Sequence, residues 1–321
     1  MLDILGAIQR AALQGGILLL VGAAAWRLLV ARPVFQLPSP GVAPADPRRI
    51  EALLRRRVAR VAGAVAYGLI AIWVLRFVLQ VAAFRDPFVP LTEDITLLLR
   101  YTIFGPVWIA QGVALFAVAI ALALLGRGSG QGDAVAGNSP EAPALGRGAW
   151  GVVIVGAVIL AFTLAMSSHA LSEETTRELA VAADFVHALA AGAWMGSLVL
   201  ILSTRKVETS GGDSLFGAQL KAFSPVAVVC VTLLVAMGTY LGWRYLAALS
   251  DLWTTPYGRV LSAKVVVAGA VLLMGFVNWR RDMPSIDSPG TRASIARRAS
   301  WEVGVAVVVL VLTGVLTGTA R

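Results

Sequence analysis

Apolar runs of about 20 residues recur along the whole chain, a length that crosses a bilayer at 1.5 Å per helical residue. They fall at about 5–30, 60–84, 97–125, 149–167, 180–203, 222–247, 257–280 and 298–320. Only 14% of the residues are charged and the mean hydropathy is +0.80, whereas a soluble domain carries about 25% charged residues. The short alternating strands that would close a transmembrane barrel do not occur. The sequence therefore predicts an all-α polytopic membrane protein with about eight transmembrane helices. The first run, in MLDILGAIQR, carries Asp3 and no basic flank, so it reads as a retained span and not as a cleaved leader.

The net charge of +9 is distributed as a topology signal, not as a nucleic-acid patch. Seventeen of the 27 Lys and Arg residues lie in alternate connections. They are Arg32 to Arg60 after span 1, Arg127 and Arg147 after span 3, Arg205 to Lys221 after span 5, and Arg280 to Arg298 after span 7. By the positive-inside rule these connections are cytoplasmic, and both termini then face outward. The basic residues also suit contact with anionic lipid headgroups. Cys230 stands alone; it forms no internal disulfide and reads as a small buried hydrophobe.

Residues 33–47 are proline-rich and read as an extended linker. Residues 126–148 are rich in Gly, Ser and Pro and read as a flexible cytoplasmic linker. This second linker separates residues 1–125, with spans 1–3, from residues 149–321, with spans 4–8. A weak internal repeat divides the spans differently. Thr102-Ile-Phe104-Gly105-Pro-Val107 opens span 3 and Thr255-Pro-Tyr257-Gly258-Arg-Val260 opens span 7. Both fit T-x-[FY]-G-x-V, consistent with two parallel four-helix halves, spans 1–4 and 5–8.

The chain has two histidines. His187 lies about 10 Å into span 5 at 1.5 Å per residue. Asp184, His187, Ala191 and Trp194 form one helical stripe, and Gly192 and Gly196 project from the other side as a small-residue packing face. A polar stripe at membrane depth should face protein or a water-filled cavity. Asp184 is placed to orient the imidazole, leaving the second nitrogen for a metal or a proton. His169 ends span 4, one turn from Met166, and Met237 lies in span 6 near the depth inferred for His187. Thioether with imidazole suits copper, Cu(I) in particular, and neither is a magnesium or calcium ligand. The candidate metal ligands are thus His187, His169, Met166 and Met237. Asp184, Trp194, Met195, Lys264, Glu173 and Glu174 are candidate supporting or pathway residues. Glu173 and Glu174 make the approach to span 5 acidic, which favours an arriving cation. Lys264 would repel a metal ion and is expected to pair with Asp184 or line the pathway. Arg76 and Glu302 are expected to snorkel to an interface.

No GxSxG, HExxH, Walker A or CxxC pattern occurs, so neither a hydrolytic enzyme nor an ATP-driven pump is indicated. The segments FSPVAVV (223–229), LSDLWTTPYGRVLSAK (249–264) and GFVNWRR (275–281), with Glu302, resemble the copper resistance protein D (CopD) family over about residues 218–318. SSHA (167–170) and DFVHALAAGAWMGSLV (184–199) are similar to the part of such proteins just upstream. The resemblance implies a multi-pass protein of the bacterial inner membrane. It would move copper, as Cu(I) or Cu(II), from periplasm to cytoplasm in copper homeostasis or resistance, with a separate periplasmic carrier of the CopC type as partner. Two alternatives stay open. One is a b-type haem electron-transfer protein, since the two histidines would suffice for one bis-His haem. The other is a docking subunit for a copper carrier that transports nothing itself.

Overall fold

The computed structural model describes residues 2–36, 47–127, 141–167, 177–205, 215–246, 248–286 and 288–318. Every regular element among them is helical. The first span is α1 (Leu2–Ala25), continued through a π turn (Trp26–Ala31) into α2 (Arg32–Gln36). There follow α3 (Pro47–Phe84), α4 (Leu91–Tyr101), α5 (Phe104–Arg127), α6 (Glu141–Ala165) and α7 (Arg177–Ala191). A second π turn (Gly192–Gly196) joins α7 to α8 (Ser197–Thr204), and α9 (Leu215–Tyr245), α10 (Asp251–Thr254), α11 (Pro256–Asp282) and α12 (Pro289–Leu316) complete the chain.

Eight helical stretches are long and apolar enough to cross a membrane, and the protein is an all-α polytopic membrane protein. Several boundaries differ from the sequence reading: the sixth stretch begins at Leu215 and the eighth at Gly290, and two others have a plain physical reason. The second stretch begins at Ile50, because the arginine-rich segment continues the helix, aided by an Arg55–Glu51 ion pair one turn apart. The third begins at Phe104, because Thr102 is extended (φ −118°, ψ 157°) and separates α4 from α5. Of the two expected linkers, residues 33–36 are helical and residues 141–148 open α6. Residues 37–46 and 128–140 lie outside the described residues.

The core is built where α1 crosses α3, α6, α8 and α12, with α5 between α3 and α6. Small residues make these crossings close. A Cβ on Gly16 would lie 2.4 Å from Leu69 Cδ2, and one on Gly314 would lie 2.5 Å from the Ala7 carbonyl oxygen. Buried polar groups pair inside this core. Trp26 Nε1 donates to Gln219 Oε1 (2.8 Å), and Gln219 Nε2 donates to Thr204 Oγ1 (3.1 Å). Paired groups of this kind fix helix register, whereas each left unpaired would cost about 1–3 kcal/mol.

The two T-x-[FY]-G-x-V segments fold alike. Thr255, like Thr102, is extended (φ −96°, ψ 151°) between a short helix and a long one. Thr102 Oγ1 donates to the Leu98 carbonyl (2.6 Å) and Thr255 Oγ1 to the Asp251 carbonyl (2.9 Å). The glycine three residues on then meets the short helix. A Cβ on Gly105 would lie 2.0 Å from the Leu99 oxygen, and one on Gly258 would lie 1.8 Å from the Asp251 oxygen. Packing beyond the turn differs between the halves. In the first, α5 packs extensively against both α3 and α6; in the second, α11 packs on α12 and barely touches α9.

Candidate functional site

The gap between α9 and α11 frames the site. An apolar cavity of about 1540 Å³ occupies it, lined by Leu234 and Gly238 of α9, Lys264 and Val265 of α11, and residues of α1 and α12. A second cavity, of about 630 Å³, is far more polar. Gln9, Arg10, Gln14, Arg76, Gln80, Asp184 and Lys264 line it. His187 and Lys264 line both cavities and so stand at their junction.

The α7 sequence accounts for this placement. Asp184 and Ala191 face the polar cavity, and Ala191 and Trp194 face the apolar one, with His187 between them. The opposite side is glycine. A Cβ on Gly192 would lie 2.5 Å from Val21 Cβ, and one on Gly22 would lie 2.2 Å from the Gly196 carbonyl carbon. Ser197 Oγ locks the crossing by donating to the Gly22 carbonyl (3.1 Å). The π turn falls on Gly192–Gly196, where one extra residue per turn re-aims the stripe as it passes α1. The periodicity of the sequence does not reveal this turn.

The imidazole of His187 packs on Gly238: a Cβ there would lie 3.4 Å from Cε1 and 3.8 Å from Nδ1. Its hydrogen bond is to the Leu234 backbone, not to Asp184 as the i, i+3 spacing suggests. Asp184 instead acts electrostatically on Lys264, which also lies within electrostatic reach of His187. His187 Nδ1 is buried without a hydrogen-bond partner. A buried imidazole nitrogen with no partner is costly unless something fills the position.

The other candidates separate. Met195 lines the apolar cavity. Met166 packs against Ala165, Ala180 and Val181 near the start of α7. Met237, on α9, is among the lining residues of neither cavity. His169, Glu173 and Glu174 lie outside the described residues. Among the described residues no three His, Cys, Asp or Glu side chains gather into a metal-holding group.

Arg76 and Glu302 depart from the snorkelling expectation. Arg76 turns into the bundle, where Nη1 donates to Gln111 Oε1 and Nη2 to Ser167 Oγ, both at 3.0 Å. Its guanidinium also lies 5.3 Å from the centre of the Phe104 ring. Gln111 is fully buried and donates through Nε2 to Thr163 Oγ1 (3.2 Å). Glu302 is 6% exposed and accepts a hydrogen bond from Asn278 Nδ2. Both side chains find partners on neighbouring helices, which removes the advantage of reaching for water. Sequence reasoning also missed Gln9, Gln14 and Gln80. Polar residues spaced along spans 1 and 2 were the available signal.

Comparison with known proteins bears on the α9–α12 side of the site. Residues 217–316 match the model of the family described as copper resistance protein D. The chain is 28% identical over 172 residues to copper resistance protein D of Pseudomonas syringae pv. tomato, covering 50% of this chain and 55% of that protein. It is 26% identical over 166 residues to copper transport protein CutJ of Bacillus subtilis (strain 168), covering 50% of this chain and 29% of that protein. The match thus spans about half of the first relative and under a third of the second. No solved structure matches the chain.

Proposed function

We propose, because residues 217–316 match the model of the copper resistance protein D family, that this chain handles copper in a bacterial inner membrane and carries it from periplasm to cytoplasm. The observation that supports this reading is the unpartnered Nδ1 of His187 at the junction of the two cavities. Neutral imidazole is a good copper ligand, and a thioether adds affinity for Cu(I).

In this reading the ion enters through the polar cavity, which lies among the helix ends that carry both termini and is periplasmic by the positive-inside argument. It binds transiently to His187, with His169 and Met166 as further candidate ligands, and Met237 supplies a soft ligand if α9 turns. Met195, on the apolar cavity, is an inward step. Movement of the loosely packed α11 relative to α9 then opens the route inward. The membrane potential favours entry of a cation by about 2.3 kcal/mol per charge per 100 mV. A periplasmic copper carrier of the CopC type is the proposed donor.

The test is copper uptake into proteoliposomes that contain this protein alone. Uptake above that of protein-free vesicles supports transport. Its absence, together with binding of a periplasmic copper carrier, would instead favour the docking-subunit reading. A Soret band in the purified protein would favour the haem reading, with His187 as one axial ligand.

A further inference from the structure

The 630 Å³ cavity carries more positive charge than a copper route needs. Arg10, Arg76 and Lys264 line it, against Asp184 as the single acidic residue among the described lining residues. The Arg76 side chain is held by neutral partners, Gln111 and Ser167, so its charge is not compensated by an ion pair among the described residues. Two polar nitrogen atoms in the cavity wall also lack partners. Gln9 is 6% exposed with Nε2 unsatisfied, and His187 Nδ1 is unsatisfied at the cavity's inner end. Gln14 Oε1, an acceptor, is buried without a partner in the same wall.

From these groups we infer that the cavity binds an oxyanion that carries its own O–H, of the hydrogenphosphate or hydroxycarboxylate class. The guanidinium and ammonium groups match the charge of such a ligand. The Gln9 amide donates to one of its oxygens, and its hydroxyl satisfies Gln14. A halide lacks the donor that Gln14 requires. One consequence rests on the copper reading. A cation at His187 faces Lys264 across the junction, and an oxyanion held by Lys264 and Arg76 removes that repulsion. Metal and anion then bind together more tightly than either alone.

The test is titration of the purified, metal-free protein with inorganic phosphate, citrate and chloride, read by calorimetry and thermal unfolding. Saturable binding of phosphate or citrate is expected, at least tenfold tighter than chloride, and weakened at least tenfold in Arg76→Gln and Lys264→Gln. Arg100→Gln, at an exposed position on α4, should leave binding unchanged. Should Arg76→Gln fail to fold, Lys264→Gln and Gln9→Leu decide the matter. Equal binding by wild type and both decisive variants would overturn the inference. So would an anionic lipid found in the purified protein that phosphate does not displace, since the cavity would then hold a headgroup. Because no copper is present, phosphate binding without copper uptake would sink the transport reading and leave this one standing. Copper uptake without phosphate binding would do the reverse.

Discussion

Gly22 and Gly196 meet backbone to backbone, so closely that a Cβ on Gly22 would lie 2.2 Å from the Gly196 carbonyl carbon. This contact between α1 and the π turn holds the His187 stripe against the cavities. Gly22→Ala and Gly196→Ala should each destabilise the protein by about 1–3 kcal/mol, the usual cost of overpacking, or more if the helices separate. Gly269→Ala and Gly304→Ala, where a Cβ meets nothing within 4 Å, should be close to neutral. Thermal unfolding of the four variants in one detergent measures the contrast.

The repeated turn predicts a matched pair of effects. Gly105→Ala and Gly258→Ala each drive a methyl into a backbone oxygen, which cannot move aside as a flexible side chain can. Both should lower the unfolding temperature more than Thr102→Ser or Thr255→Ser, which keep the hydroxyl that bonds the preceding helix. A loss confined to one member of the glycine pair would argue against equivalent turns.

Gln111 joins Arg76 to Thr163 in a buried chain of hydrogen bonds. Gln111→Leu keeps the volume but removes both bonds, leaving a guanidinium short of an acceptor inside the bundle. The expected cost is about 1–3 kcal/mol. A double variant with Arg76→Met should recover part of it, because the charge needing a partner is gone. Unfolding temperatures of the two single variants and the double variant provide the cycle.

Gly238 gives the His187 ring its seat. Gly238→Ala places a methyl 3.4 Å from Cε1, a contact the ring tolerates, whereas Gly238→Leu should push the ring out of the junction. Copper affinity should then fall at least tenfold in Gly238→Leu and less than threefold in Gly238→Ala, measured by competition with a chelator of known affinity.

The architecture was largely legible because bilayer thickness imposes a length that composition alone reveals. The two faces of span 5 were legible too, since Asp184, His187 and Trp194 recur at helical spacing with Gly192 and Gly196 opposite. The partners of those residues were not. Asp184 and His187 share a stripe, yet the ring bonds Leu234 and the carboxylate acts on Lys264, because the helices packed alongside decide which neighbour is nearer. Gln9, Gln14 and Arg76 join the cavity only through the crossing of spans 1, 2 and 5, a juxtaposition that no local pattern encodes. The π turn at Gly192–Gly196 was hidden for a related reason: it answers the close approach of α1, and a glycine pair fits a regular helix equally well.

The most direct test of the account is X-ray absorption at the copper edge, on wild type and on His187→Ala loaded with one equivalent of Cu(I). The account predicts imidazole outer-shell scattering in the wild type that is reduced or lost in the variant, with at least a tenfold loss of affinity. Identical spectra and affinities for the two proteins would contradict it.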